Sequence, residues 1–284
     1  MKREIEHIIK LALTEDRSRH DITTNCLVKR DQISRATVVA KEDCVICGSE
    51  LVSRVFHKLD PKIHIHFYFH DGDVAPKNSK VIALKGKTRA LLTGERTALN
   101  FIAYLSGIAT QTNRFVKEVD GFPAKIMDTR KTIPGMRQLV KMAVRCGGGV
   151  NHRFNLKEMV MIKDNHLIAY ESDATVIKAI RHVRRATSKI IVVEVDTLDQ
   201  FKQAIEAEPD IIMLDNMTIP QIKKAVAINK THTKKCLLEA SGGITIKNVR
   251  QVAKTGVDRI SIGALTHSPR AIDFSMEFEF GGQG

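Results

Sequence analysis

The sequence predicts an α/β chain in two parts: an α+β domain of about 100 residues, then a barrel of parallel strands covered by helices. Three observations lead there. Short apolar, β-branched runs alternate with amphipathic segments through the second half. The runs end in polar or glycine residues at a regular interval, since Glu194, Asp215, Glu239 and Gly263 stand 21, 24 and 24 residues apart. Before residue 120 the texture differs, with strand-like alternation between two long helical stretches.

Taken in order, MKREIEHIIKLALTED reads as an amphipathic helix and IHIHFYFHDGDVAPKNSKVIALKG (63–86) as strands joined by turns. His64, His66 and His70 share a metal-like spacing, but opposite Ile63, Ile65, Phe67 and Phe69 they read as the solvent face of a strand. A long helix is expected from about Leu91 to Val119. AKIM (124–127) and EMVMI (158–162) are then the first barrel strands. Between them PGMRQLVKMAV is a helix with apolar residues at 136, 139, 140, 143 and 144, and with Arg137 and Lys141 on its polar face. KIIVVEVD, DIIMLDN, CLLEASGG and VDRISIGALTHS supply further strands. Thr197 with Gln200 and Thr218 with Gln221 open the intervening helices. About six strands result, short of the eight of a closed barrel. SMEFEFGGQG alternates like a strand and ends in a tail expected to be mobile.

A chain of 284 residues, 43% hydrophobic, can bury a sizeable core. The start mixes charge with apolar residues, unlike a secretory segment, and no apolar run approaches the roughly 18 residues of a membrane helix, so a cytoplasmic protein is expected. Five scattered cysteines suit a reducing compartment; Cys44 and Cys47 have metal or redox spacing but no second such pair, and read as strand packing. The net charge of +13 calls for anionic partners. Residues 125–166 hold nine Lys or Arg against three acids and a single aromatic, Phe154, which is poor material for stacking bases. A basic nucleic-acid-binding protein is therefore the weaker of two readings, the other being an enzyme for small anions.

In barrels of this kind the chemistry lies at the carboxyl ends of the strands. DTRKT (128–132) and Lys163-Asp164-Asn165-His166 stand there. One candidate site thus contains Arg130, Lys131, His152, Arg153 and Lys163, facing Glu194, Asp215 and the turns Ser241-Gly242-Gly243 and Ser261–Gly263. Arginine forks and lysine point charges suit a di- or tricarboxylate. Acids beside glycine-rich turns suit a sugar phosphate, with the acids on ribose hydroxyls or Mg²⁺.

Ten segments carry a resemblance beyond this. DITT (21–24), GERTALN (94–100), SGIAT (106–110), DTRKTIPGMR (128–137), AVRCGGGVNHRF (143–154), IKDNH (162–166), EVD (194–196), LDN (214–216), EASGGI (239–244) and SIGALTHS (261–268) together resemble the quinolinate phosphoribosyltransferase family along nearly the whole chain. The resemblance implies an N-terminal α/β sandwich, residues 1–110, with 269–284 packing back on it. It also implies an open, incomplete α/β barrel of about six to seven parallel strands over 111–268.

The activity it implies is a Mg²⁺-assisted transferase joining quinolinate to phosphoribosyl pyrophosphate and releasing CO₂ and pyrophosphate. The product would be nicotinate mononucleotide for NAD synthesis. It further implies a homodimer with shared active sites, with assembly into a hexamer left open, and no nucleic acid or membrane partner. Arg96, Thr129, Arg130, Lys131, His152, Arg153 and Lys163 match the quinolinate pocket, Arg96 coming across the dimer interface. Glu194, Asp215, Ser241, Gly242, Gly243, Ser261 and Gly263 match the phosphoribosyl pyrophosphate site. Lys131, Lys163, Glu194 and Asp215 are the implied catalytic groups, with Mg²⁺ held mainly by pyrophosphate near Glu194 and Asp215. A paralogous branch linked to molybdenum transport shares the architecture. One departure is local: the family has a glycine-rich acidic turn before GDITT, where this chain reads EDRSRHDITT.

Overall fold

The computed structural model describes residues 2–170 and 175–279. In chain order its first elements are α1 (Lys2–Glu15), α2 (Ile22–Leu27), β1 (Ile33–Ala40), β2 (Cys44–Val45), α3 (Ser49–Leu59), β3 (His64–Phe67), β4 (Val74–Ala75), β5 (Lys80–Lys87) and α4 (Thr88–Glu118). There follow β6 (Lys125–Met127), α5 (Arg137–Cys146), β7 (Val160–Ile162), α6 (Asp164–Tyr170), α7 (Val176–Ala186), β8 (Ile191–Val195), α8 (Leu198–Glu206) and β9 (Ile211–Asp215). The last are α9 (Ile219–Thr231), β10 (Leu237–Ser241), α10 (Val249–Ala253), β11 (Arg259–Ser261), α11 (Ala264–His267) and β12 (Phe274–Glu279).

Two compact units result. The first takes the chain up to Asn113, Ile133–Gly148 and the part from Pro269 onward; the second takes Arg114–Thr132 and Gly149–Ser268. In the first, an antiparallel sheet of order β12-β1-β5-β3 carries Val38, Val81, Ile82, Leu84 and Phe274 into a core. Ile9 and Leu13 of α1, Val52 and Phe56 of α3, and Leu91, Ile102 and Leu105 of α4 complete it. The apolar stripe of α5, Leu139, Val140, Ala143 and Val144, belongs to this same core, although α5 lies between two barrel strands in the chain. Lys141 is also buried, at 3% exposure, where helical periodicity predicts a solvated face.

Local signals set the helix starts. Asp21 caps α2, its Oδ1 accepting from Thr24 N at 3.0 Å, while Thr93 of α4 donates to Oδ2 at 3.0 Å. Just before it, Arg17 adopts φ +46°, so the EDRSRH segment makes a left-handed turn without glycine. Thr197 caps α8 by accepting from Gln200 N, and Gln221 accepts from Thr218 N at the start of α9. Gly107 shows why SGIAT has glycine in mid-helix: a Cβ there would stand 2.2 Å from the Arg270 carbonyl oxygen. His64 and His66 of β3 are exposed while Ile65 and Phe67 pack on the core, as the solvent reading expects. His70 lies past the strand, its N–H donating to Asp73 at 2.7 Å.

The second unit is a parallel sheet of six strands in the order β6-β11-β10-β9-β8-β7. Its ends, β6 and β7, do not pair with each other, so the barrel is open. One strand face, with Ile162, Val193, Ile212, Leu214, Leu238, Ala240 and Ile260, packs with α7 to α10 in a second core. The other face holds a separate cluster of Val192, Ile211 and Met213, with Met159 and Met161 against it. The tail expected beyond residue 279 lies outside the described residues.

The Thr24 side chain, its backbone N–H and the Thr93 hydroxyl hold the Asp21 carboxyl below its usual range. Asp21→Ala is expected to lower stability by about 1 kcal/mol in urea unfolding at neutral pH. A depressed folded pKa means the contribution is present above the unfolded value near ~4 and is lost as pH falls through the folded value. The gap between wild type and variant therefore narrows in acid, and a gap independent of pH would show that the carboxylate is not the cap.

Candidate active site

Successive strand residues point to opposite faces, so the face away from the helices recurs every second position. At the carboxyl ends that face becomes polar. Glu194, Met213 and Glu239 pair as one row, and two residues further Asp215 pairs with Ser241. Ser261 pairs with Met127 at the end of β6. Lys163 directly follows β7, and its ammonium makes a short contact with Glu194 Oε2.

Two arginines are brought together by a short parallel stretch. Val150 bridges to Met127, with Val150 N donating to Ile126 O at 2.8 Å and Asp128 N to Val150 O at 3.2 Å. Asp128, fully buried, then accepts from His152 N at 2.7 Å, and His152 Nδ1 accepts from Arg153 N at 2.7 Å. His152 and Arg153 are thereby held beside the Thr129-Arg130 exit of β6. Arg153 donates to Met159 O at 3.1 Å and to Met161 Sδ at 3.5 Å, both uncharged acceptors. Burial, and after it the charge of Arg130, pushes the Arg153 pKa down. Arg130 Nε is buried without a hydrogen-bond partner, and among the described residues neither guanidinium has a carboxylate partner. Such a pair leaves two positive charges uncompensated by any carboxylate, an arrangement suited electrostatically to an anion.

The Thr129 hydroxyl accepts from Lys131 N at 3.1 Å and lies 3.2 Å from the Thr266 hydroxyl, so it shapes the loop that presents Lys131. Lys131 is exposed, and its stem runs beside Gly263, where a Cβ would meet Lys131 Cδ at 3.5 Å.

On the opposite side Glu239 is fully buried. Its Oε1 accepts from the Ser261 hydroxyl in a short contact and lies 3.4 Å from His152 Nε2. With His152 Nδ1 accepting from a backbone N–H, a neutral ring carries its proton on Nε2, facing Glu239. Glu239 Oε2 has no hydrogen-bond partner among the described residues. Next along, Asn216 adopts φ +52°, donates from its backbone to Ser241 O at 2.9 Å, and donates from Nδ2 to Asp215 Oδ2 at 2.7 Å. Gly242, at φ +87°, lies so close that a Cβ would stand 2.1 Å from Asn216 Oδ1, whereas a Cβ at Gly243 would meet nothing within 4 Å.

The family model "Quinolinate phosphoribosyl transferase, N-terminal domain" matches residues 21–106, and "Quinolinate phosphoribosyl transferase, C-terminal domain" matches 108–277. The chain belongs to the quinolinate phosphoribosyltransferase family. A Mycobacterium leprae relative, "Nicotinate-nucleotide pyrophosphorylase [carboxylating]", is 40% identical over 273 residues, 95% of either chain. A Bacillus subtilis protein, "Probable nicotinate-nucleotide pyrophosphorylase [carboxylating]", is 38% identical over 96% of this chain and 93% of its own. The solved "nicotinate-nucleotide pyrophosphorylase from Francisella tularensis" superimposes with a TM-score of 0.92 at 40% identity, covering 98% of this chain and 97% of that one.

The second unit gathers Thr129, Arg130, Lys131, His152, Arg153, Lys163, Glu194, Asp215, Ser241, Gly242, Gly243, Ser261 and Gly263 at or just past its strand ends. Arg96 belongs to α4 of the first unit and is exposed. Asp128 and Glu239 are buried site residues that the sequence reading left out. Glu239 had a signal in its place in the series Glu194, Asp215, Glu239.

At Gly242 a side chain meets both a left-handed backbone and a close neighbour, while at Gly243 it meets only the backbone. Gly242→Ala is expected to destabilise the protein by about 1–3 kcal/mol and by more than Gly243→Ala. Urea denaturation of both variants checks the order; equal losses would mean that Asn216 is free to move away.

Proposed function

We propose that the chain transfers the phosphoribosyl group of phosphoribosyl pyrophosphate to the ring nitrogen of quinolinate, releasing pyrophosphate and CO₂ and forming nicotinate mononucleotide for NAD synthesis. The observation that carries this is the unneutralised pair Arg130 and Arg153, with the buried donor Nε of Arg130 lacking a partner. Quinolinate has two adjacent carboxylates, and leaving either charge unpaired in a partly dry site would cost several kcal/mol. Lys131, exposed at the same loop, adds a third cation, and His152 is a further polar contact.

The ring nitrogen's electron pair forms the bond to ribose C1′ as the C1′–O bond to pyrophosphate breaks. Positive charge develops on C1′, and the carboxylates of Glu194 and Asp215 at the strand ends stabilise it. Lys163 holds Glu194 in place. The turns at Ser241-Gly242-Gly243 and Gly263 offer backbone N–H groups for phosphate oxygens. Ribosylation leaves the ring nitrogen cationic, so the electrons of the bond to the adjacent carboxylate can fall back into the ring as CO₂ departs and a proton takes its place. Transfer therefore precedes decarboxylation.

Oxygen-only donors at Glu194 and Asp215 fit Mg²⁺, which binds few protein ligands and retains water and substrate phosphates. When bound it would neutralise the leaving pyrophosphate. Arg96, an exposed residue of α4 whose side chain makes no hydrogen bond among the described residues, is proposed to complete the quinolinate site of the second subunit of a homodimer.

Equal amounts of pyrophosphate and CO₂ are expected only when quinolinate, phosphoribosyl pyrophosphate and Mg²⁺ are all supplied. Lys131→Ala and Arg153→Ala should each lower activity at least about tenfold, as the loss of one charge-assisted contact worth about 1.5–3 kcal/mol requires. Wild-type kinetics in either removes that residue from the site. Mixing inactive Arg96→Ala with inactive Arg153→Ala subunits should restore activity, because one mixed site is then intact. No recovery after verified subunit exchange would place Arg96 in its own chain's site.

A further inference from the structure

Outside the barrel mouth, one cluster of chemically competent side chains is absorbed by nothing above. Cys47, Asp71 and Cys146, all in the first unit, bring one ligand atom each to within 4.8 Å of the other two. We propose that this cluster is a binding site for one thiophilic divalent cation of the zinc class, held by the two sulfurs and one Asp71 oxygen, with a fourth position open to water.

Each ligand is anchored by a different element. Cys47 is completely buried, and its backbone is held from both sides by Ser106, whose hydroxyl accepts from Cys47 N at 2.9 Å and donates to Cys47 O at 3.2 Å. Asp71 Oδ1 accepts from Gly48 N at 3.0 Å, Ser49 N at 2.9 Å and the Ser49 hydroxyl at 2.6 Å, so the carboxylate is fixed at the start of α3. Those bonds engage Oδ1, leaving Oδ2 as the oxygen open to a ligand. Cys146 is the last residue of α5, and the next residue locks that helix end: a Cβ on Gly147 would stand 2.3 Å from the Ala109 carbonyl oxygen of α4.

Pinned outer contacts of this kind orient ligands before an ion arrives. Zinc–sulfur bonds of about 2.3 Å and zinc–oxygen bonds of about 2.0 Å place tetrahedral ligands roughly 3.3–3.8 Å apart, so an inward shift of about 1 Å closes the site. Two thiolates with one carboxylate favour zinc-class ions over Mg²⁺. Cys146 and Asp71 are partly exposed, which supplies an entry path and room for water. Binding displaces both thiol protons to solvent.

The test is a Co²⁺ titration of the reduced, chelator-treated full chain, followed by displacement with Zn²⁺. Wild type should take up one Co²⁺ per chain with a sulfur-to-cobalt charge-transfer band and the visible bands of a tetrahedral centre, and equimolar Zn²⁺ should abolish both. Cys146→Ser should lose the charge-transfer band or at least half its intensity, Asp71→Asn should weaken binding about tenfold or more, and Cys26→Ser should change nothing. Cys146→Ser is the primary variant because Cys47 is fully enclosed. A wild-type chain without the charge-transfer band, or a band undiminished in Cys146→Ser, overturns the proposal.

Discussion

Two guanidinium groups occupy one corner of the barrel mouth with only neutral acceptors to bind. Placing Arg153 under cover next to Arg130 opposes folding, since burial and mutual repulsion both disfavour its charge. The surroundings hold it there. Arg153 is tied to Met159 O, its backbone to His152, and His152 to the buried carboxylate of Asp128. The anchoring acid thus bonds the backbone rather than the guanidinium, and the positive charge is left for whatever enters.

The rest of the second unit serves that placement through the alternation of its strands. Helix-facing positions are apolar and form one core, while the opposite positions pass from methionine and valine at depth to Lys163, Glu194, Asp215, Glu239, Ser241 and Ser261 at the ends. Each acid is given a close partner, with the Lys163 ammonium on Glu194 and the Ser261 hydroxyl and His152 ring beside Glu239. Paired arginines and a row of acids can then share one rim, because each acid has its own partner and does not quench the arginines.

Much of this was legible in the sequence. The strands of the second half announce themselves because each is buried on both faces, and their polar ends mark the rim. The packing of α5 was not legible: the stripe at 139, 140, 143 and 144 says that one face is buried but not against which core, and the first unit claims it. Lys141, too, reads as solvated and is enclosed. The role of Glu239 depends on Ser261 and His152 arriving from other strands, which no spacing encodes. The hydroxyls of Thr129 and Ser261, read as substrate contacts, are engaged by Thr266 and Glu239. Cys47 found its neighbour in Cys146, distant in the chain, and not in Cys44, whose spacing drew attention first.

The order of the first sheet bears on how the chain matures. β12 lies at one edge, paired along β1 from Arg35 through Ala40, and α5 fills part of the same core. During synthesis the opening residues emerge first, yet their sheet lacks an edge strand until Phe274–Glu279 is made, by which time every strand of the barrel has already been synthesised. The unit that begins the chain is therefore completed last, with β1 exposed as an open template in the meantime. Its early-stage partner is solvent, while most strands of the parallel sheet, being neighbours in sequence, can pair before it.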